Sequence, residues 1–374
     1  MKSKVVYIIS NIDKALSFEW IATQLSSDNF ELHFILLNPK ANSNLELFLK
    51  ENNVKVSFIK LSGKKSYPFV FAKLLFYLIK IQPQVVHTHL YDANLLGLTA
   101  AYFARIKKRI YTRHHSTLHH DFFPKGVKLD GLCNCMATHI VSISGSTYYV
   151  LTQLENVPTS KIISIPHGFK LSEFQSVSKE KVSALHLKYN IHRDKNYPVI
   201  GVIARYTHWK GHCYIIEAFK ELLKTYPSAL LLLANAQGDY ATQVKEQLKD
   251  LPVQNYIEIS FEQDLFALYK LFDVYVHAPI NKDIEAFGQT YIEAMASGIP
   301  SIFTKSGIGN DVCQDSRNCI VVDYKNSEEI YSGLIKLTED KSFYSTISIN
   351  APKSVINYDL QYFIKNLEDL YLKV

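Results

Sequence analysis

Two glutamates and a glycine lie close together in the stretch D-I-E-A-F-G-Q-T-Y-I-E-A-M-A-S-G-I-P-S-I-F-T, residues 283–304. The apolar residues after Gly288 recur at i, i+3 and i+4, which predicts a short helix with one buried face that leaves Glu293 facing outward. Glu285 precedes this helix, so its carboxylate and the free N–H groups of the helix start should point into the same space. Because a helix N-terminus favours anions and a carboxylate accepts hydrogen bonds from hydroxyls, the pair suits a phosphate attached to a sugar.

A second candidate group is a pair of cations in the string A-R-Y-T-H-W-K-G-H. This string follows a predicted strand at Pro198–Ala204 and opens a predicted helix at Cys213–Leu223. Lone cations in a loop are usually only solvated. Arg205 and Lys210, however, stand between a strand and a helix, where the free N–H groups of the first turn join them in binding a diphosphate.

Aromatic and imidazole side chains add further candidates. Phe261 directly follows a predicted strand and is interpreted either as a stacking partner for a nucleotide base or as core packing. Four clustered histidines in the first half raise the question of zinc: His114, His115, His119 and His120. Their spacing has no E-x-x-H or C-x-x-C companion, so the sequence predicts polar surface or substrate contacts there and no metal site.

Short apolar runs alternate with helical patterns along the whole chain, which indicates parallel sheets covered on both faces, with ligands beyond the carboxyl ends of the strands. A chain of 374 residues favours two domains. The predicted strands of the first half are Val5–Ser10, Leu32–Leu37, Val54–Ile59, Gln84–Thr88, Arg109–Thr112, His139–Ile143 and Ile162–Ile165. Those of the second half are Pro198–Ala204, Leu230–Ala234, Tyr256–Ser260, Val274–His277, Ser301–Thr304 and Ile320–Val322.

Charge and composition restrict the setting in which the protein works. The net charge is +6, with +11 up to Asn190 and −5 beyond it, and no nucleic-acid-binding motif accompanies the basic half, so no nucleic-acid partner is predicted. Lys64 and Lys65 beside aromatic residues, and the run from Arg105 to Arg109, suit either an anionic membrane surface or a solvated basic face. No apolar run is long enough to span a membrane, and five scattered cysteines indicate reduced thiols in a cytoplasm.

Several of these motifs resemble those of the family 4 retaining glycosyltransferases. Glu285 and Glu293 match the family's E-x7-E signature, and A-R-Y-T-H-W-K-G is similar to its G-R-L-x-x-x-K-G. The T-R-H that ends at His114 looks like its T-x-H, and the segment 161–174 looks like its crossover between domains. The resemblance implies the GT-B fold, an α/β architecture of two Rossmann-like domains whose parallel sheets face a central cleft. The expected domains are 1–174 and 197–350, with a linker at 175–196 and a C-terminal helix within 351–374 that returns to the first domain.

The resemblance also implies an activity and a role for each candidate. The enzyme would transfer a sugar from a UDP- or GDP-sugar donor to a glycan or lipid-linked acceptor in bacterial surface polysaccharide synthesis, without a metal or other cofactor. It would act in the cytoplasm, peripherally on the inner leaflet. In the implied roles, Arg205 and Lys210 stabilise the leaving diphosphate. Glu285 holds the sugar hydroxyls together with the backbone N–H groups of Phe287 and Gly288, and His114 or its neighbour His115 also binds the sugar. Glu293 binds the ribose and Phe261 stacks on the base.

Some family features are replaced in this chain. Asn11–Ser17 has no glycine pair, L-L-L-A-N-A-Q-G stands for the usual L-x-x-x-G-x-G, and G-I-G-N-D from Gly307 stands for G-G-x-x-E. These departures predict rearranged phosphate or base contacts. They also leave two alternatives, which are a sugar-nucleotide epimerase or phosphorylase of the same fold and a catalytically idle sugar-nucleotide-binding protein.

Overall fold

The computed structural model describes residues 2–373, and the chain divides into two compact units. The first unit comprises the residues up to Gly168 together with the segment from Leu360, and the second unit is Phe169–Asp359. Each unit is built on one entirely parallel sheet with helices between its strands. The expected fold class, two parallel-sheet α/β domains, is therefore confirmed.

The first unit contains seven parallel strands in the order β3-β2-β1-β4-β5-β6-β7. Each predicted strand is present, and its ends differ from the prediction by at most two residues. The central strands β1, β4 and β5 are buried along most of their length, including the polar residues of β4, because helices cover both faces of the sheet. The strands are β1 (Ser3–Ser10), β2 (Phe30–Asn38), β3 (Lys55–Lys60), β4 (Val85–His89), β5 (Lys108–Arg113), β6 (His139–Ser142) and β7 (Ile162–Ser164).

Helices follow each of the first six strands and close the core of the first unit. Helix α3 has a proline in its first turn. Val70, Leu74 and Leu78 recur at helical spacing on the face of α3 that packs in the core. The helices are α1 (Leu16–Gln24), α2 (Asn44–Glu51), α3 (Tyr67–Ile81), α4 (Tyr91–Phe103), α5 (Leu118–Phe122), α6 (Pro124–Met136) and α7 (Gly145–Tyr149), which continues as a π-helical turn to Leu154.

The second unit has six parallel strands in the order β10-β9-β8-β11-β12-β13. Strand order reverses between β8 and β11, and such a switch point is where ligands bind in open α/β sheets. The strands are β8 (Val199–Ile203), β9 (Leu230–Ala234), β10 (Tyr256–Ile259), β11 (Val274–His277), β12 (Ser301–Phe303) and β13 (Ile320–Val321). The helices are α8 (Leu171–Gln175), α9 (Lys179–Lys188), α10 (His212–Thr225), α11 (Ala241–Leu248), α12 (Leu265–Tyr269), α13 (Gln289–Ala296), α14 (Gly309–Val312), α15 (Ser327–Glu339) and α16 (Lys341–Ser354).

The boundary between the units lies at Gly168, earlier than the expected 174. Phe174 packs its ring against Phe266 at 4.7 Å between centroids, so the crossover segment after Gly168 belongs to the second core. The whole expected linker, 175–196, is likewise part of that unit, and α9 occupies its middle.

The last helix, α17 (Leu360–Lys373), belongs to the first unit. The buried hydroxyl of Tyr371 hydrogen-bonds the hydroxyl of Tyr7 on β1 and lies 2.7 Å from Nδ1 of His87 on β4. The other ring nitrogen of His87 lies 2.8 Å from the hydroxyl of Thr112 on β5. Burial lowers the pKa of His87 to about 3, so a neutral imidazole links the helix to three neighbouring strands.

We expect Tyr371→Phe to lower the unfolding free energy of the first unit by about 1–3 kcal/mol, because Tyr7 and His87 would keep buried polar atoms without this partner. Urea unfolding followed through Trp20, on α1, measures the effect in a Trp209→Phe background that leaves one tryptophan. Tyr362→Phe, at an exposed position of α17, is the control. Equal midpoints for the two variants would contradict the proposed link.

Candidate active site

The turn between β8 and α10 carries Lys210 toward the end of β11. Gly211 has a φ of 70°, and a Cβ at this position would overlap the carbonyl oxygen of Ala278. The N–H of Ile280 donates to the carbonyl of Trp209 at 3.0 Å, which fixes the turn against the segment after β11. The glycine of the K-G pair is thus required by close backbone packing, and this packing positions the lysine.

Lys210 and Glu285 form a mostly buried ion pair through Nζ and Oε1. Nε2 of His277, the last residue of β11, lies 3.5 Å from the same carboxylate oxygen. Burial alone would raise the pKa of Glu285, but Lys210 and His277 hold that pKa well below its usual value. The carboxylate is therefore ionised, and the site places a cation and a hydroxyl acceptor in contact.

The loop that carries Glu285 is held by the segment after β12. The N–H of Ile308 donates to the carbonyl of Phe287 at 2.7 Å, and the N–H of Glu285 donates to the hydroxyl of Ser306 at 3.2 Å. Gly307 has a φ of 56°, and a Cβ there would lie 2.5 Å from the Phe287 carbonyl oxygen. The first glycine of G-I-G-N-D therefore has a backbone function here, which is to let the two loops meet.

Gly288 caps the start of α13, as the sequence predicted, but Glu293 within α13 does not face outward. It is 7% exposed, and the hydroxyl of Tyr269 donates to its Oε2 at 2.8 Å. The prediction is wrong because α8 and α16 both pack on α13, so the helix is covered on more than one face. Burial raises the pKa of Glu293 to about 7, although the Tyr269 hydroxyl lowers it in part.

Arg205 and Phe261 lie beyond the ends of β8 and β10, and both side chains are exposed. The guanidinium of Arg205 makes no ion pair or hydrogen bond with any other residue in the part of the chain that the structure describes. Phe261 is 66% exposed, so its interpretation as core packing is wrong. Stacking of Phe261 on a nucleotide base stays a prediction.

In the first unit, His114 belongs to a cluster of neutral imidazoles beyond the carboxyl ends of β4 and β5. Its Nε2 lies 3.0 Å from Nδ1 of His89, and its ring stacks on that of His167 at 5.6 Å between centroids. Burial lowers the pKa of His114 well below its usual value. His114 is therefore an uncharged hydrogen-bonding group. The cluster borders a cavity of about 20 Å³.

His115 belongs to a separate network, in which it and His119 have the geometry of metal ligands. His115, His119 and Asp130 bring their ligand atoms within 4.8 Å of one another. Both imidazoles already bond Oδ2 of Asp130, at 3.0 and 2.6 Å, and the buried guanidinium of Arg113 lies 3.4 Å from this oxygen. The guanidinium beside the shared carboxylate disfavours the binding of a metal cation to it. That the working protein holds no metal here stays a prediction.

Three residues of these sites were not found by sequence reasoning. His277 was interpreted only as the end of a strand, and Tyr269 and His89 were given no role. The position of His277 in the sequence could have identified it. A polar residue at the carboxyl end of an otherwise apolar strand, beside a switch point, lies on the edge of the sheet where ligands bind.

Two parallel-sheet α/β domains, one with a cation and a carboxylate at its switch point, define a protein of the GT-B class. The family described as glycosyl transferases group 1 matches residues 187–354, and the one described as glycosyltransferase family 4 matches residues 20–173. The chain belongs to the family 4 glycosyltransferases and is an enzyme of that class.

Relatives and solved structures agree with this assignment. The alpha-monoglucosyldiacylglycerol synthase of Acholeplasma laidlawii is 26% identical over 78% of this chain and 76% of its own. The capsular polysaccharide biosynthesis glycosyltransferase CapM of Staphylococcus aureus is 26% identical over 80% of this chain and 79% of its own. Anabaena HepE in complex with UDP and glucose has the same fold, with a TM-score of 0.84, 19% identity and 99% of both chains covered.

We expect the stability of the protein to depend on pH through Glu293. Its folded pKa of about 7 lies above the ordinary 4.5, so the folded state binds more protons between these values and the unfolding free energy falls as pH rises through them. The glutamine of Glu293→Gln does not titrate. Relative to this variant, the unfolding free energy of the wild type should fall by up to about 3 kcal/mol between about pH 4.5 and pH 7.5. Urea midpoints across this range measure the difference. Glu217→Gln, at an exposed position of α10, is the control, and a pH-independent difference would contradict the assignment.

Proposed function

We propose that this glycosyltransferase moves a sugar, with retention of configuration, from a nucleotide diphosphate donor to a glycan or lipid-linked acceptor. The observation that carries this proposal is the contact between Lys210 and Glu285 at the switch point of the second sheet. A nucleotide sugar presents a diphosphate directly beside sugar hydroxyls. A lysine in contact with an ionised carboxylate matches these two neighbouring chemical groups.

In this proposal the side chains act mainly through electrostatics. Negative charge grows on the diphosphate as the bond to the sugar breaks, and Lys210 with the exposed Arg205 stabilises that charge. Glu285 accepts hydrogen bonds from the sugar hydroxyls. Glu293, once ionised, accepts hydrogen bonds from the ribose. The neutral His114 of the first unit is an uncharged group suited to hydrogen-bonding a sugar hydroxyl. These groups supply the charge stabilisation without a metal or other cofactor.

UDP is our choice for the donor nucleotide, because the structurally similar HepE is bound to UDP and glucose. The direct test is a thermal-shift screen of UDP-, GDP- and ADP-sugars, followed by turnover of the donor that binds. A ligand at about a hundred times its dissociation constant adds about 2.7 kcal/mol of stability. Binding without turnover on any acceptor or water would favour the idle binding protein. Free epimerised donor would favour an epimerase, and a pyridoxal imine absorbance would favour a phosphorylase.

We expect Glu285→Gln to lower kcat by roughly a hundredfold or more, because a contact that strengthens as charge develops is worth about 3 kcal/mol. The free nucleotide diphosphate should still bind, since Lys210 and Arg205 are intact. Steady-state kinetics and calorimetry of UDP binding give the two quantities, with Glu217→Gln as the exposed control. Wild-type turnover in Glu285→Gln would reject the role of the carboxylate.

The acceptor side of the proposal is supported by one surface of the first unit, which we name the α3–α4 patch. Phe69, Phe76 and Ile79 repeat at helical spacing on the outer face of α3, and Phe71 of α3 contacts Phe103 at the end of α4. The patch consists of the exposed residues Phe69, Lys73, Phe76, Ile79, Lys80, Tyr102, Phe103, Arg105 and Lys107. Mixed basic and apolar surface of this kind suits an anionic bilayer.

Part of the basic run expected on this surface has another function. Nε of Arg109 donates to the carbonyl of Met136 at 2.8 Å, and Nζ of Lys108 donates to the carbonyl of Tyr371 at 3.0 Å. Arg105 and Lys107 are therefore the exposed cations of that run. Within residues 2–373, none of the helices has the length and apolar character needed to cross a bilayer.

We expect the chain to co-sediment with anionic liposomes but not with neutral ones. Binding should weaken with salt and vanish near 1 M, because charges are screened within about 8 Å at physiological salt and about 3 Å at 1 M. The double variant Phe76→Ser, Ile79→Ser should bind less than the wild type, and Leu187→Ser, at an exposed position on α9, is the control. Equal sedimentation with both lipids at low salt would reject membrane association.

A further inference from the structure

His277 is a buried histidine beside the candidate site to which the roles above assign no function. It is 1% exposed, its ring lies perpendicular to that of Tyr291 at 4.9 Å, and its Nε2 faces Oε1 of Glu285 at 3.5 Å. Neither ring nitrogen has a hydrogen-bond partner within residues 2–373. A buried polar group without a partner costs free energy, so a residue kept in this state invites a functional explanation.

The ion pair of Lys210 explains what His277 could do. Lys210 has two roles in this site, since it neutralises the buried Glu285 and is the lysine proposed to bind the diphosphate. When Lys210 turns to the diphosphate, the carboxylate loses its counter-charge in a place where an uncompensated charge is strongly unfavourable. In the described chain, His277 is the other side chain in an ion-pair geometry with Glu285.

We propose that His277 is a positioning residue that holds the Glu285 carboxylate when the donor diphosphate draws Lys210 away, an inference that rests on the proposed function. The imidazole acts in its neutral form and donates its Nε2 hydrogen to Oε1. A movement of a few tenths of an ångström shortens the present 3.5 Å to an ordinary hydrogen bond. Glu285 then stays ionised and keeps the orientation in which it meets the sugar hydroxyls.

The surroundings of His277 favour the neutral form. The ionisable groups that face it are Lys210 from the turn before α10, His212 from the start of α10, Glu285 from its loop and Tyr291 from α13. Burial lowers the pKa of His277, and Lys210 lowers it further, while Glu285 opposes both. Donating a hydrogen bond requires no proton to be taken up, so the proposed exchange of partners works at neutral pH.

The test is a double-mutant cycle on the binding of UDP, or of GDP if the donor screen selects GDP. We expect His277→Leu to weaken UDP binding about tenfold, because Lys210 is then held by a carboxylate that has no other partner. In the Glu285→Gln background the carboxylate is absent, and the same His277→Leu change should alter UDP binding by less than about twofold. His277→Gln, which keeps an N–H donor near the Nε2 position, should restore most of the affinity and of kcat.

The possible results separate the inference from the proposed function. If His277→Leu weakens UDP binding equally in both backgrounds, His277 only shapes the fold. If it weakens UDP binding in neither, Lys210 does not exchange partners. Either result overturns the inference. Failure of the wild type to bind any nucleotide diphosphate would instead overturn the proposed function. His139→Leu, on β6 of the first unit, is the matched histidine control and should leave UDP binding unchanged. Melting temperatures of all variants verify that each is folded.

Discussion

The buried ion pair between Lys210 and Glu285 is the constraint on which the second unit is organised. Two charges out of water are tolerated only when they meet in good geometry, so both loops that carry them must be fixed. Gly211 fixes the lysine turn against the end of β11, and Gly307 fixes the glutamate loop against the segment after β12. In each case a glycine with positive φ allows backbone to approach backbone. The two glycines therefore position the charged residues through close backbone packing.

The sequence predicted the sheets well because parallel strands buried on both faces have an unmistakable pattern. Strands such as Leu230–Ala234 are apolar throughout and bounded by polar turns, so even their ends were predicted correctly. The domain boundary was harder to predict from the sequence. Whether the crossover around Phe174 packs on the first or the second core depends on ring contacts with α12, which no local pattern reveals.

The candidate site was predicted by residue type but not by environment. Motif spacing identified Lys210 and Glu285 as separate binding groups, whereas the fold makes each the other's partner. The helical period of α13 predicted one buried face, but burial of Glu293 depends on α8 and α16, which come from distant parts of the chain. His277 was missed for the same reason, since its neighbours Glu285 and Tyr291 meet it only in the folded sheet.

The division of the chain has a consequence for how the protein is made. The chain leaves the first unit after Gly168 and returns to it at Leu360, so the entire second unit is inserted before the helix that completes the first. At about 5–20 residues per second, the ribosome needs on the order of 10–40 s to synthesise this insertion. During that time Tyr7 and His87 belong to a sheet whose covering helix does not yet exist. The first unit to begin folding is thus the last to be completed, and the nascent chain exposes the α17 side of its first core while the inserted unit is being synthesised.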